Sequence, residues 1–215
     1  MEIRLGDLNR DRLPDLVLHC PGKGFAVFLA FPDGSFIGPD FYSIDSSNTA
    51  PDVGDITGDG VLDVVIFDHQ ARTFVVFEGD GSGKFARSVE IPFNYEAGRI
   101  KLADVNSDGL LDILCPVIGY CYQPVALLLA DPAGGFKDPI LLELAYKPFK
   151  VEALDLDFDR TAEIVANSYA AGYVAIFRTD SPKFESASRT SIRVSSYVPN
   201  ILAGDFNGDG KKDIL

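Results

Sequence analysis

The sequence predicts an all-β chain built from blades of a β-propeller, about four of them and the start of a fifth. Three observations predict it. An acidic nine-residue stretch recurs five times, and the first aspartates of successive copies lie 48, 49, 51 and 50 residues apart. A near-constant period of this length marks a repeat architecture. Between the copies lie short β-branched and aromatic runs, bounded by Gly, Asp and Pro turns, that read as four strands per unit. No window of eleven or more residues carries a helical period.

Each unit has the same order of parts. A short apolar segment leads in, as in 99–103, 150–154 and 200–203. The acidic stretch follows. The copies are 7–15, 55–63, 104–112, 155–163 and 205–213. A β-rich run comes next, at 16–18, 64–67, 113–114 and 164–165, then a second at 25–29, 74–77, 125–129 and 173–177. These runs are continuously apolar, as expected of inner strands buried on both faces. A Gly- or Pro-containing turn then ends in Phe36, Phe85, Phe136 or Phe184. These phenylalanines are expected to pack between blades. A weaker fourth strand closes the unit, and its polar version at 186–191 suits an exposed outer edge. The chain therefore reads as one partial propeller domain over 1–215, with repeats at 1–49, 50–98, 99–149 and 150–199 and an incomplete one at 200–215.

The acidic stretches place carboxylate or amide groups at positions one, three, five and nine. The set is Asp7, Asn9, Asp11 and Asp15; Asp55, Thr57, Asp59 and Asp63; Asp104, Asn106, Asp108 and Asp112; Asp155, Asp157, Asp159 and Glu163; Asp205, Asn207, Asp209 and Asp213. A tight loop can turn such alternate residues onto one cation. Calcium takes six to eight oxygen ligands, and an all-oxygen set disfavours zinc or copper. An Asx-rich turn without metal is the alternative. Clustered acids repel one another without a cation, which favours Ca2+. A glycine at position six, as Gly109 or Gly210, permits a left-handed turn. Arg12 and Arg160 stand there instead in the first and fourth copies, where the guanidinium could neutralise the acids. The expected order of affinity is therefore copies three and five, then two, then one and four. An EF-hand is excluded, because it needs a glutamate at position twelve and flanking helices.

Charge is consistent with this. The net charge is −13, and the five stretches hold sixteen of the 32 acidic residues. Five calcium ions would bring the total to −3. Such acidity argues against a nucleic-acid partner. No apolar run reaches the roughly 20 residues of a membrane span. No signal peptide opens the chain. Cys115 and Cys121 could bridge a hairpin or remain buried free thiols, and Cys20 has no third partner.

The stretch Gly204-Asp-Phe-Asn-Gly-Asp-Gly-Lys-Lys-Asp213, with turns such as Gly79-Asp-Gly-Ser-Gly-Lys-Phe85, resembles FG-GAP/VCBS repeats, the blades of integrin-α-like propellers. The resemblance covers the whole chain. It implies calcium in the first hairpin of each blade, seven blades in the usual ring, and a secreted, extracellular or cell-surface setting. Seven blades at this period need about 350 residues, so the chain is expected to be part of a longer one. A small closed propeller whose terminal strand completes the first blade is the alternative. The family's roles include cell adhesion and carbohydrate binding. The expected function is thus a calcium-stabilised binding or adhesion propeller for a protein or glycan partner. The alternative is a non-catalytic ancillary propeller of a larger secreted enzyme, such as a polysaccharide-degrading one.

Ligand-face candidates lie in the blade-linking loops: Tyr42, Tyr95, Arg99, Tyr146 and Tyr197, with Asn48, Asn94, Lys147 and Asn200 nearby. Aromatics beside amides suit sugar stacking and hydroxyl recognition. The competing reading is that these tyrosines anchor loops against a neighbouring blade. His19 and His69 are the only histidines, and no nucleophile–base pattern accompanies them, so no catalytic residue is assigned and the chain is not expected to be an enzyme.

Overall fold

The computed structural model describes residues 2–44, 47–119, 124–168, 172–179, 184, 187–194, 201, 203–208 and 213–214. They form strands and turns, and no helix occurs among them. The chain divides into two compact units, Met1–Leu102 and Ala103–Leu215.

The first unit holds two complete sheets. β1 (Ile3–Gly6), β2 (Asp15–Cys20), β3 (Gly24–Ala30) and β4 (Phe36–Ser43) form one, in that order. β5 (Asp52–Gly54), β6 (Asp63–Asp68), β7 (Thr73–Gly79) and β8 (Phe85–Pro92) form the other. β9 (Glu96–Ala97) lies in the link that follows. The second unit contains β11 (Asp112–Ile118), β12 (Val125–Leu128) and β13 (Ile140–Leu142), led in by β10 (Lys101–Ala103), whose last residue opens the unit. It continues with β14 (Lys150–Leu154), β15 (Glu163–Ser168), β16 (Tyr173–Thr179) and β17 (Ala187–Arg193) as a fourth sheet. β18 (Ala203–Gly204) and β19 (Asp213–Ile214) pair as the start of a fifth. The first, second and fourth sheets pair successive strands antiparallel, as do β11 with β12 and β12 with β13, in the manner of propeller blades.

Burial follows strand order. All six residues of β6 and of β15 are buried. Their Val, Ile and Phe side chains serve both faces, which is why these strands show no alternation. β4 and β8 are mostly exposed edges. In the first unit the two sheets share one apolar interface, with Val17, Phe25 and Val27 against Val64, Ile66 and Phe77. In the second, Leu114, Val125 and Leu127 meet Val151, Ile164 and Phe177. Each such side chain contributes about 1.5–3 kcal/mol when fully buried.

Two of the turn phenylalanines sit between sheets. Phe85 packs on Phe25 and Tyr42, and Phe184 is buried in the core of the second unit. Phe136 is half-buried. Phe36 departs from the expectation at 48% exposure. Its sheet comes first, and among the described residues no earlier sheet lies against it. The first sheet also holds four strands of its own, so no terminal strand is needed to complete it. Cys115 is a free, buried thiol, pushed well up by that burial. Its expected partner Cys121 lies outside the described residues.

Candidate metal loops

Every acidic stretch links the first strand of a sheet to the second, so β-hairpin geometry fixes both its ends. The loops share one hydrogen-bond plan. The carboxylate at position one gathers backbone N–H groups from the far side of the loop. Asp7 accepts from Asp11 at 2.9 Å and from Arg12 at 2.8 Å. Asp55 accepts from Gly58 at 2.7 Å and from Gly60 at 2.8 Å. Asp104 accepts from Asp108 and Gly109, and Asp155 from Phe158 and Arg160. The carboxylate at position five accepts the N–H two residues on, at 2.7–2.9 Å from Leu13, Val61, Leu110 and Thr161. These short Asx turns wrap each loop around its position-one carboxylate.

The backbone makes this possible with left-handed residues at two positions, four and six. Position six includes Arg12 at φ 69°, Gly60 at 82°, Gly109 at 87° and Arg160 at 75°. Position four includes Arg10 at 64°, Gly58 at 77°, Ser107 at 58°, Phe158 at 65° and Gly208 at 77°. The second site is not evident from the third copy, where serine occupies it. It is hinted at by Gly58 and Gly208. Arg12 and Arg160 adopt the same turn as glycine, and among the described residues neither guanidinium forms an ion pair. Their backbone N–H groups bind the position-one carboxylate.

Position nine is different in kind. Asp15, Asp63 and Asp112 are fully buried, and Glu163 nearly so. One oxygen of each accepts the N–H of position two: Leu8 at 2.8 Å, Ile56 at 3.1 Å, Val105 at 3.0 Å and Leu156 at 2.7 Å. The other oxygen reaches the end of the third strand or just past it, accepting from Ala30 at 2.8 Å, Gly79 at 3.0 Å and Ala130 at 2.8 Å. Glu163 turns its second oxygen to Arg178 at 3.9 Å. This acid therefore ties the loop's base to the sheet. Burial pushes the Asp112 carboxyl up to about 6, against the pull of its two N–H donors, and the nearby charges of Asp108 and Asp104 add to the rise. Burial likewise raises Asp63 and Glu163.

A three-carboxylate grouping stands in the fourth loop, where one oxygen each of Asp155, Asp157 and Asp159 lie within 4.8 Å of one another. The first and third loops have an amide at position three. Asn9 donates to Asp11, and Asn106 to Asp108, each at 2.9 Å. In the second loop Thr57 turns its hydroxyl to Asp63 at 3.1 Å. In the fifth, Asp205 accepts from Gly208 and Asp213 from Phe206, while Asn207 is exposed and Asp209 lies outside the described residues. In the first unit the Gly83 N–H of the β7–β8 turn donates to the Leu8 carbonyl of the first loop at 3.1 Å, and in the second Ser107 donates its hydroxyl to the Arg160 carbonyl of the next loop.

The ligand-face candidates fall into separate settings. Tyr42 stacks on Phe25 with centroids 5.0 Å apart, and its hydroxyl accepts the Phe85 N–H at 3.2 Å. That position serves the interface between the first two sheets. Tyr95 leans on Phe93 at 5.4 Å. Arg99 pairs with Glu2 at 2.6 Å. Tyr146 lies parallel to Tyr173 at 4.2 Å and is 37% exposed. Tyr197 lies outside the described residues. His69 and Glu96, distant in sequence, meet at 2.7 Å.

Four antiparallel four-stranded sheets, each with an acidic loop on its first hairpin, define a chain of propeller-blade repeats. The model for the FG-GAP-like repeat matches residues 7–66, 55–115 and 155–215, and the chain belongs to this family. No curated protein matches the sequence.

Proposed function

We propose that this chain is a calcium-stabilised binding propeller, secreted or displayed at a cell surface, that recognises a protein or glycan partner. The observation that carries the calcium reading is the fourth loop, where Asp155, Asp157 and Asp159 bring three hard oxygens within 4.8 Å of one another. An all-carboxylate set of this kind fits calcium by donor chemistry. In the first and third loops Asp7, Asn9, Asp11 and Asp104, Asn106, Asp108 offer equivalent oxygens. The ion would supply two positive charges to each acidic turn. The chain supplies the rest. The position-one carboxylate shapes the turn, the position-nine acid fastens it to the sheet, and neighbouring loops brace one another. Loops so fixed leave the opposite end of each sheet free to carry binding residues, and propeller repeats with this loop support a binding role.

The test is calorimetric titration of the full chain with calcium, alongside thermal unfolding in calcium and in EDTA. Saturable heat, a higher midpoint in calcium and loss of one site in Asp157→Ala are the expected results. No heat, and one midpoint in both buffers, would remove the calcium reading. A glycan array and a surface-protein capture screen, each run in calcium and in EDTA, test the binding role. Silence in both would remove it.

A further inference from the structure

We infer that His69, Glu96 and Arg72 form a binding site for adjacent hydroxyls of a neutral sugar, at the end of the second sheet opposite its acidic loop. The inference rests on the binding reading above and narrows it to a glycan and a place. β6 starts at Asp63, where the loop ends, and runs six residues to Asp68. His69 therefore stands about 20 Å from the proposed ion.

The turn from β6 to β7 is built before any ligand arrives. Asp68 accepts the N–H groups of Gln70 at 2.8 Å and Ala71 at 2.9 Å. Arg72 then closes the turn at φ 54°. A glycine would take that conformation freely, whereas a residue with a side chain is strained there by about 1–2 kcal/mol. The turn alone thus gives no reason for an arginine. The Arg72 carbonyl accepts the Phe93 N–H at 2.9 Å, which holds the turn beside the link carrying Glu96.

Glu96 orients both neighbours. One oxygen lies 2.7 Å from His69 Nδ1 and the other 3.4 Å from Arg72 Nε. A carboxylate only accepts, so Nδ1 carries the hydrogen, and whenever the ring is neutral its lone pair stands on Nε2. Phe67 meets the imidazole edge to face at 5.2 Å and 88°, and the His69 N–H is held by the Ser47 carbonyl at 3.0 Å. Among the described residues, Nε2 and the two Nη nitrogens of Arg72 have no protein partner. The side chains of His69, Glu96 and Arg72 are 22%, 28% and 53% exposed. The site therefore presents one fixed acceptor beside two donors.

That pattern fits adjacent hydroxyls. One gives its hydrogen to Nε2, and the oxygen of the next accepts from Nη. Charge selects a neutral ligand. Glu96 offsets Arg72, and the chain as a whole carries −13, which repels anions.

With two histidines in the chain, imidazole 1H–13C NMR reads the site directly, and His19→Gln assigns the signals. The full chain in calcium is titrated with methyl β-galactopyranoside, methyl α-mannopyranoside, N-acetylglucosamine and, as the acidic counterpart, methyl β-glucuronide. The His69 signal should move saturably with at least one neutral sugar while His19 stays still. Glu96→Gln and Arg72→Gly should each weaken that response about tenfold, the equivalent of one lost hydrogen bond to a charged group. Arg72→Gly relaxes the strained backbone, so its loss of binding is not misfolding. A His69 signal that stays still throughout, or one moved by the glucuronide alone, overturns the assignment. Array binding that survives His69→Gln also overturns it, and leaves the broader binding role standing. An array silent for the unmodified chain strikes that broader role itself.

Discussion

The carboxylate of Asp112 accepts the backbone N–H of Ala130 at 2.8 Å, eighteen residues along the chain, and with its other oxygen accepts that of Val105 at 3.0 Å. The residue is fully buried. Asp15 and Asp63 repeat the arrangement, so the last acid of each of the first three motifs ties the loop base to the far side of its sheet. Asp112→Ala would strand two buried donors, each costing about 1–3 kcal/mol. The expected loss is about 2–5 kcal/mol in calcium-free buffer. Asp108→Ala, on the exposed rim, should stay within about 1 kcal/mol there and lose calcium binding instead. Urea unfolding of both variants in EDTA separates the two roles; equal losses would refute the division.

The same burial sets a pH response. The folded-state value of Asp112 is raised from 3.8 to about 6, so the folded chain holds that proton more tightly than the unfolded one. Stability from this group is full below about pH 4 and is lost as pH rises through about 6. Asp63 and Glu163 act in the same direction. In EDTA the thermal midpoint should fall across that rise. Asp112→Asn, which carries no titrating proton, should flatten the curve in part. A midpoint that climbs with pH, or one indifferent to Asp112→Asn, counts against the account.

Much of this was legible in the sequence, because the repeat displays the same physics five times. The period, the four strands per unit and the oxygen-bearing positions one, three and five all follow from spacing. The role of position nine was not legible, since an aspartate that ties backbone together and one proposed as an ion ligand occupy the same alternating pattern. Only burial separates Asp112 from Asp108. The left-handed turn at position four was obscured because Arg10, Ser107 and Phe158 occupy it alongside two glycines. His69 and Glu96 are 27 residues apart, and the first unit sets His19 against Asn48 rather than an acid, so the period does not point to a histidine–carboxylate pair. Recurring Tyr42 suggested a ligand face, yet its ring packs between sheets.

Gly24 offers a sharp test of the hairpin that joins β2 and β3. Its φ is 107°, and a Cβ there would come 2.0 Å from the Tyr42 carbonyl oxygen and 2.9 Å from the Ile44 nitrogen. Both neighbours are backbone, so neither can swing aside. Gly24→Ala combines left-handed strain with overpacking, and should cost about 2–5 kcal/mol. Gly34 has φ 84° with open space around the added carbon, so Gly34→Ala should carry the strain alone, about 1–2 kcal/mol. Chemical unfolding of the two side by side should show the first to be the larger loss.

Arg12 and Arg160 allow a gain to be predicted. Both adopt left-handed backbone, at φ 69° and 75°, where glycine is unstrained, and among the described residues neither guanidinium has an ionic partner. Arg12→Gly and Arg160→Gly each remove about 1–2 kcal/mol of strain and add back about 0.5–1 kcal/mol of chain entropy. A net gain of roughly 0.5–1 kcal/mol in EDTA is expected. Removing an exposed positive charge beside Asp155, Asp157 and Asp159 should also raise calcium affinity a few-fold at low ionic strength, and less in salt. Thermal unfolding and calcium titration of the two variants measure both effects. If the arginines instead neutralise their loops, the calcium-free variants will be less stable than the parent chain, because four acids in the fourth loop would then repel without relief.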